Sequence, residues 1–328
     1  MPRFSALALA FTLFGVLFPV LAHSQPPTFL TMWGSWGDGP GQFREPSGIA
    51  LHPNGNVYVA DYSASRIQVF TSSGAFLAQW GTHGHGPGQF NTPTGIAVGA
   101  DGRVYVTDMS DNRVQVFSSD GTYLTEWGGY GSGPGQFNTP FGVAVDGNGQ
   151  VYVVDCFYNH RIQVFTSEGI FLTQWGTTGT GPGQFYRPCG VAVDASGRVY
   201  ITDFGNFRVE AFTSSGEFLT EWGRYGTGPG EFRQIGCLGV AVDAQGHVYV
   251  ADAENNRVQV FSADGAFLTE WGTTGEGPGQ FRCPRAVAVN AGGDVYVAEY
   301  HNERIQVFGS PPTPVNSTTW GHIKALYR

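Results

Sequence analysis

An acidic residue and an arginine recur together along the chain, and their chemistry is that of either a metal site or an ion pair. The acids are Asp61, Asp108, Asp155, Asp203, Asp252 and Glu299, and the arginines that follow them are Arg66, Arg113, Arg161, Arg208, Arg257 and Arg304. Carboxylates gathered around one axis would suit a metal ion. Because each acid has its own arginine, a structural ion pair is the favoured interpretation, and we expect no metal and no cofactor.

The cysteines are a second group with chemical capacity. They are Cys156, Cys189, Cys237 and Cys283. Their spacing contains no Cys-x-x-Cys pair, which disfavours a zinc cluster. Disulfide formation and reduced thiols both remain open at this point, and the choice depends on which parts of the chain the fold brings together.

The elements that must position these residues form a repeat. A Trp-Gly pair ends each unit, and the units are 47 to 49 residues long, with the tryptophans at Trp33, Trp80, Trp127, Trp175, Trp222 and Trp271. A period of this length is typical of stacked supersecondary units. The chain is therefore predicted to be one array of similar units.

One unit, between residues 84 and 128, shows what each of them contains. It has four short runs rich in β-branched and aromatic residues, separated by Gly, Asp, Asn or Ser: 95–98, 104–107, 113–117 and 123–127. These runs predict strands. The second and third are apolar on nearly every residue, so both faces of the sheet must be covered. No segment has helical periodicity to provide the cover, which leaves the neighbouring unit and predicts a β-propeller.

The repeated motif is G-x-G-P-G-Q-F-x-x-P-x-G-[IV]-A-V-D, followed by G-x-V-Y-V-x-D, R-[IV]-Q-V-F and G-x-F-L-T-x-W-G. It resembles the NHL repeat, the module of six-bladed propellers. Six copies cover roughly residues 37–308. The resemblance implies an all-β, six-bladed propeller with four-stranded antiparallel blades. It implies much less about function, because one fold serves many functions.

The two ends of the chain differ from the repeat. Residues 1–24 contain Arg3, an apolar run over 4–21 and the pattern Ala22-His23-Ser24, which is typical of a secretory signal peptide. An uncleaved anchor is the alternative, but Pro19 interrupts the run and no stop-transfer charges follow. We therefore expect a secreted or periplasmic protein with no stable membrane span after cleavage, a propeller over 25–309 and a proline-rich tail over 310–328.

The ring should close through the N-terminal strand. Residues 28–34 match the fourth strand of the other units but have no first three strands before them, whereas the last unit runs into Pro311, Pro312 and Pro314. Proline cannot donate to a sheet ladder, so these residues block a fourth strand there. The N-terminal strand is predicted to complete the sixth blade, and residues 318–321 are the competing candidate. The blades then run 46–80, 93–127, 140–175, 188–222, 238–271 and 284–308 with the N-terminal strand.

Propeller geometry also suggests how the cysteines pair. The loops before strand one and between strands two and three share one face, and all four cysteines fall in those loops. Cys156 and Cys189 lie on neighbouring blades, as do Cys237 and Cys283. In an oxidising compartment the pairing 156–189 and 237–283 is favoured. Each bridge would contribute roughly 3–4 kcal/mol, while reduced thiols stay the alternative.

The same face carries the side chains that vary between blades, so ligand binding is expected there. Aromatic residues and arginine on one rim are typical of a recognition surface. The candidate ligand-binding residues are Tyr62, Phe141, Phe157, Tyr158, His160, Phe204, Phe207, Arg285, Tyr300 and His301. The alternative for each aromatic residue is that it packs between loops.

The sequence favours a binding protein over an enzyme. The amidating lyases of peptide-hormone maturation hold zinc with His after the Pro at the channel mouth, and lactonases need carboxylates there. This chain has neither at those positions, which are Ser47, Thr94, Phe141, Cys189, Leu238 and Arg285. Streptogramin lyases resemble the repeat more loosely, and their His–Glu pair cannot be assigned here. Acid–base work by Tyr158 and His160 keeps a lyase or hydrolase as the alternative.

Charge argues against a third class of function, nucleic-acid binding. RNA-binding NHL propellers occur in tripartite-motif proteins, but this chain has a net charge of −9 and no RING-type module. A negative protein disfavours contact with phosphate. We therefore expect an extracytoplasmic monomer that binds a protein, peptide or glycan partner through its loop face, and no nucleic acid.

Overall fold

A computed structural model describes residues 25–233 and 239–309. The predicted signal peptide, the C-terminal tail with its candidate strand at 318–321, and the residues Cys237 and Leu238 lie outside the described residues. Within residues 25–233 and 239–309, no helix has the length and apolar character needed to span a membrane.

The described chain consists of short strands. The first half contains β1 (Thr28–Trp33), β2 (Pro46–Leu51), β3 (Val57–Asp61), β4 (Arg66–Phe70), β5 (Phe76–Trp80), β6 (Pro93–Val98), β7 (Val104–Asp108), β8 (Arg113–Phe117), β9 (Tyr123–Gly128), β10 (Pro140–Val145), β11 (Val151–Asp155), β12 (Arg161–Phe165) and β13 (Phe171–Trp175). The second half contains β14 (Thr177–Thr178), β15 (Gln184–Phe185), β16 (Pro188–Val193), β17 (Val199–Asp203), β18 (Arg208–Phe212), β19 (Phe218–Trp222), β20 (Val240–Val242), β21 (Val248–Asp252), β22 (Arg257–Phe261), β23 (Phe267–Trp271), β24 (Thr273–Thr274), β25 (Gln280–Phe281), β26 (Pro284–Val289), β27 (Val295–Glu299) and β28 (Arg304–Gly309). Two 3₁₀ turns cover Phe204–Asn206 and Ala253–Asn255.

The strands form six four-stranded antiparallel sheets, which we call blades 1 to 6. Their strand orders are β2-β3-β4-β5, β6-β7-β8-β9, β10-β11-β12-β13, β16-β17-β18-β19, β20-β21-β22-β23 and β26-β27-β28-β1. The first strands of successive blades contact one another in turn, and β26 contacts β2, which closes the ring. The predicted six-bladed propeller is confirmed.

The N-terminal strand completes blade 6, as predicted. β1 pairs antiparallel with β28, with Phe29 opposite Phe308 and Met32 opposite Gln306. The blade that contains the last repeat is therefore finished by the first strand of the propeller. Because this pairing joins the two ends of the array, it locks the ring.

The apolar core lies between blades, not within one of them. In one cluster, Val154 and Ile162 of blade 3 meet Val199 and Phe212 of blade 4, and all of these side chains are fully buried. Each of the other clusters likewise combines residues of two adjacent blades. The apolar runs on both faces of each sheet are thus covered by neighbouring blades, which is the physical reason for the propeller.

The repeated tryptophans also join successive blades. Trp127 lies in the last strand of blade 2 and packs on Phe165 of blade 3, with ring centroids 5.6 Å apart. It also covers the turn at Gly169, where φ is +85° and an added Cβ would lie 2.5 Å from the indole ring. A side chain at this turn would push the blades apart, so glycine is required there.

Candidate functional site

The acid–arginine pairs are buried structural ion pairs. Asp155 and Arg161 face each other across the hairpin, and the Arg161 Nε donates to an Asp155 carboxylate oxygen over 3.0 Å. The same carboxylate accepts the Asn138 N–H at 2.8 Å. The guanidinium also donates to the carbonyls of Ser132 and Gln136 in the glycine-rich loop. The pair therefore ties that loop to the blade.

The same register holds in every blade. The acid lies opposite its own arginine in each of the hairpins formed by the second and third strands. Over residues 25–233 and 239–309, no group of three or more His, Cys, Asp or Glu side chains could hold a metal ion. Because each acid lies opposite its own arginine, these carboxylates hold the hairpins of the fold together.

The loops before the first strand and after the second strand lie on one face of the ring, which we call the loop face. Backbone hydrogen bonds join the two kinds of loop: the N–H of Cys156 donates to the Thr139 carbonyl, and the N–H of Tyr300 donates to the Cys283 carbonyl. The predicted shared face is thus present for the described residues.

Arg285 lies across the mouth of the central channel on the loop face. Its guanidinium carbon is 4.5 Å from the ring centre of Tyr300, 5.1 Å from that of Tyr62 and 5.4 Å from that of Phe141. Blade 6 carries Arg285 and blade 3 carries Phe141, and these blades are opposite each other in the ring. Cation–π contacts therefore hold the arginine over the channel axis.

A small cavity lies at this mouth. It has a volume of about 70 Å³ and is lined by the first strands of the blades. Of the described residues that line it, Arg285 is the charged one, and its other walls include Ser47, Thr94, Phe141 and Cys189. A cationic group over an apolar pocket has the chemistry to hold an anion, and the described lining residues include no carboxylate.

A second cluster joins blades 3 and 4. The Arg187 guanidinium lies 5.4 Å from the Phe157 ring centre and 5.6 Å from that of Tyr186, and Tyr186 stacks on His160. The Nδ1 of His160 accepts the backbone N–H of Arg187 at 2.9 Å. Burial, with the Arg187 charge nearby, lowers the pKa of the imidazole. The Nδ1 lone pair of His160 is thus occupied by a hydrogen bond within the loop packing, which leaves it unavailable to take a proton from a substrate.

Of the remaining predicted residues, some pack against other aromatic side chains and one is exposed to solvent. Tyr300 packs edge-on against His301 with centroids 5.0 Å apart, so His301 adjoins the Arg285 cluster. Phe207 contacts Tyr225 at 5.2 Å, and Phe204 packs against the core of blades 3, 4 and 5. Tyr158 is 71% exposed. The structure thus brings most of the predicted residues into two clusters and leaves Tyr158 facing solvent.

Several exposed aromatic residues were not predicted. Trp36, Tyr130 and Tyr225 are 68%, 74% and 61% exposed, and Tyr186 belongs to the Arg187 cluster. The first three occupy the third position after a repeated Trp, where the other blades have His83, Thr178 and Thr274. The variation at this position within an otherwise regular repeat is the signal that would have found them.

Of the cysteines, Cys156 and Cys189 meet at the channel mouth. Both are buried, and their sulfur atoms are 3.5 Å apart, which is longer than the roughly 2.05 Å of a disulfide bond. Cys283 lies in the loop before β26, and Cys237, its predicted partner, lies outside the described residues. Neither disulfide is shown, and both pairings stay predictions.

The prediction for the first pair can be tested directly. We expect protein purified from an oxidising compartment to yield a disulfide-linked peptide pair that contains Cys156 and Cys189 on non-reducing mass spectrometry. Its reduction should lower the free energy of unfolding by roughly 3–4 kcal/mol, since the closed loop is long. Finding both thiols quantitatively alkylated without reductant would contradict the pairing.

The sequence pattern of the NHL repeat matches six segments, residues 43–70, 90–117, 137–165, 185–212, 236–261 and 281–308. Each segment spans the first three strands of one blade. A search of the curated proteins finds no sequence match.

Solved structures with a similar fold include enzymes and a complex. Virginiamycin B lyase from Staphylococcus aureus is 18% identical, with a TM-score of 0.56 over 83% of this chain and 86% of that chain. A gluconolactonase from Xanthomonas campestris is 14% identical, with a TM-score of 0.62 over 89% and 97%. A chain of the nidogen/laminin complex is 20% identical, with a TM-score of 0.51 over 69% and 80%. At these identities the likeness concerns the fold alone.

Proposed function

The chain belongs to the NHL-repeat family, and from this premise we propose that it is an extracytoplasmic propeller that binds a protein, peptide or glycan partner through its loop face. The propeller domain would extend over residues 25–309, preceded by a cleaved signal peptide and followed by the proline-rich tail. A monomer suffices for this role, since the candidate site lies within one ring.

The observation that carries the proposal is the pair of arginine–aromatic clusters on the loop face. Arg285 and Arg187 each lie on aromatic rings, and no carboxylate of the described residues lies within 4.0 Å of either guanidinium group. Arginine and aromatic side chains contribute most of the affinity at many binding surfaces. Tyr158, Tyr130 and Trp36 add exposed rings, so the face offers both charge and apolar area to a partner.

A lyase or hydrolase acting at the channel mouth is the second candidate. The likeness to virginiamycin B lyase and to gluconolactonase propellers favours it. Against it, the part of the cavity lining that the structure describes contains no carboxylate or histidine, and the imidazole Nδ1 of His160 already accepts a hydrogen bond. Assays with a streptogramin B and with gluconolactone test this candidate, and turnover that is lost on substitution of Tyr158 would favour it over binding.

The binding proposal is tested by selecting ligands and then substituting side chains of the loop face. The mature protein is screened against a displayed random-peptide library and a glycan array, and the best ligand is titrated against the variant F157A/Y158A/R285M. We expect affinity to fall at least tenfold, because each substituted side chain belongs to the proposed contact surface.

The matched control variant removes exposed apolar side chains from the outer strands, away from the loop face. Leu77 and Leu124 are 49% and 46% exposed on the outer strands, so L77A/L124A should bind as the wild type does. Thermal unfolding of both variants checks that the propeller is intact. Unchanged affinity in the loop-face variant would refute the choice of face, and failure of both screens would refute the binding function.

A further inference from the structure

We propose that the cavity beneath Arg285 receives the carboxylate at the end of a peptide ligand, so that the propeller recognises peptide termini at its channel mouth. This inference deepens the binding function proposed above and rests on it. It specifies the chemical group that is bound and the residue that binds it.

The charge of Arg285 is not neutralised within the described part of the chain. There, the guanidinium groups with no carboxylate within 4.0 Å are those of Arg187, Arg233 and Arg285, whereas the other arginines form ion pairs. The Nε of Arg285 is in addition buried without a hydrogen-bond acceptor. A buried charged donor without an acceptor is costly, and an incoming anion would remove that cost.

Two acids of the neighbouring loops, Glu45 and Glu303, are already engaged. The Glu303 carboxylate accepts the Glu45 N–H. The Glu45 carboxylate accepts the hydroxyl of Ser63 and interacts with the Tyr300 hydroxyl, whose pKa burial raises to about 12. Arg285 is thus left without a carboxylate in a protein whose net charge is −9. The arrangement keeps the charge of Arg285 available to a ligand.

The rings around Arg285 restrict how a ligand can approach. The guanidinium carbon lies over the rings of Tyr300, Tyr62 and Phe141. Aromatic rings are weak hydrogen-bond acceptors, so the N–H donors along the edge of the group are left for a stronger acceptor. A carboxylate matches that edge with two parallel hydrogen bonds, which a neutral amide cannot reproduce.

The size of the cavity limits what enters it. At about 70 Å³ it is well below the roughly 300–1,000 Å³ of a site that encloses a small molecule. A carboxylate group fits, whereas a sugar ring does not. The rest of the ligand must therefore lie outside, over the exposed aromatic rings of the loop face.

The walls favour a peptide over a sugar acid. They are built mainly from Ile49, Val143 and Val191 and from backbone. The hydroxyls present are already engaged, since the Ser47 Oγ donates to the Pro93 carbonyl at 3.1 Å and the Thr94 and Thr107 hydroxyls lie 3.0 Å apart. The hydroxyl groups of a sugar would be left without partners there, which is unfavourable.

The experiment compares two peptides that differ only in the terminal group. N-acetyl-Gly-Phe-Ala with a free carboxylate and the same peptide with a terminal amide are titrated calorimetrically into the mature protein. We expect the acid to bind at least tenfold more tightly than the amide. In Arg285→Met, which keeps the apolar stem on the rings but removes the charge, the affinity for the acid should fall about 10–100-fold, to that of the amide.

The matched control is Arg282→Met. Arg282 is an exposed neighbour that pairs with Glu276 at 3.3 Å, so this variant loses the same charge without touching the cavity and should keep the preference for the acid. Arg285→Lys keeps the charge but not the planar edge, and an intermediate preference is expected. Thermal unfolding of each variant verifies the fold.

Three results would overturn the inference: equal affinity for acid and amide, absence of binding by both peptides at millimolar concentration, or an acid preference that survives in Arg285→Met. D-glucuronate and its methyl ester are titrated in parallel, and selective binding of the sugar acid would show that the peptide assignment is wrong. If a ligand selected on the loop face is lost in F157A/Y158A but not in Arg285→Met, the carboxylate site fails while the binding function stands.

Discussion

Replacing Arg161 by methionine is expected to lower the free energy of unfolding by about 3–5 kcal/mol, because the substitution leaves a buried carboxylate without its partner. Asp155 is fully buried and its ion pair to the Arg161 Nε is 3.0 Å long. The variant also loses the hydrogen bonds to the carbonyls of Ser132 and Gln136. Chemical denaturation of wild type and variant at pH 7 measures the difference.

An exposed ion pair provides the control. Arg224 contacts Glu231 at 2.7 Å, but its side chain is 80% exposed, so Arg224→Met should cost about 1 kcal/mol or less. In D155N/R161M the stranded charge is absent, and part of the lost stability should return. If Arg161→Met is no more destabilising than Arg224→Met, the buried pairs do not hold the blades as described.

Replacing Glu210 by glutamine is expected to stabilise the protein at pH 8 by about 2–3 kcal/mol. The other five blades have glutamine at this position: Gln68, Gln115, Gln163, Gln259 and Gln306. In blade 3 the Gln163 amide donates to the Gln136 carbonyl at 2.7 Å and accepts the Gly135 N–H at 2.8 Å. Glu210 accepts the Gly183 N–H but as a carboxylate has no donor for the loop carbonyl.

The surroundings of Glu210 also disfavour its negative charge. It is fully buried beside Asp203, and both acids share Arg208. Burial raises the pKa of Glu210 from 4.5 to about 7. The folded protein therefore holds a proton that the unfolded chain releases. The stabilisation from this group is present below pH 4.5 and is lost as the pH rises through about 7.

The measurement is the difference in unfolding free energy between Glu210→Gln and wild type at several pH values. The difference should be small near pH 4.5 and grow toward pH 8, because glutamine does not titrate. Buried acids of other blades, such as Asp61, contribute the same pH dependence to both proteins and cancel. A difference that is independent of pH, or a destabilised variant at pH 8, would contradict the assignment.

The features predicted correctly from sequence depend on residues close together in the chain or on the regularity of the repeat. Asp155 and Arg161 belong to one hairpin, so strand register alone places them opposite each other. The position of each blade follows from a pattern that repeats every 47 to 49 residues. Closure of the ring by β1 follows because the last repeat lacks a fourth strand, whereas the N-terminal segment matches a fourth strand that has no first three strands before it.

The candidate site was predicted only as a list of residues on one face. That Tyr62, Phe141 and Tyr300 all contact Arg285 could not be derived, because Phe141 is on the opposite blade. Contact between them depends on the width of the channel and on the reach of the arginine side chain. The structural role of His160 was missed for a similar reason, since its partner is the backbone of the next blade.

The sequence by itself determined the number of blades, their strands, the ion pairs within them and the strand that closes the ring, because repetition and short loops leave few alternatives for local pairing. The tertiary structure alone decided which rim side chains meet, which arginine remains without a carboxylate and how small the axial cavity is. The physical reason is that closing the ring brings together residues more than 200 positions apart, such as Tyr62 and Arg285, and no local pattern encodes such a contact.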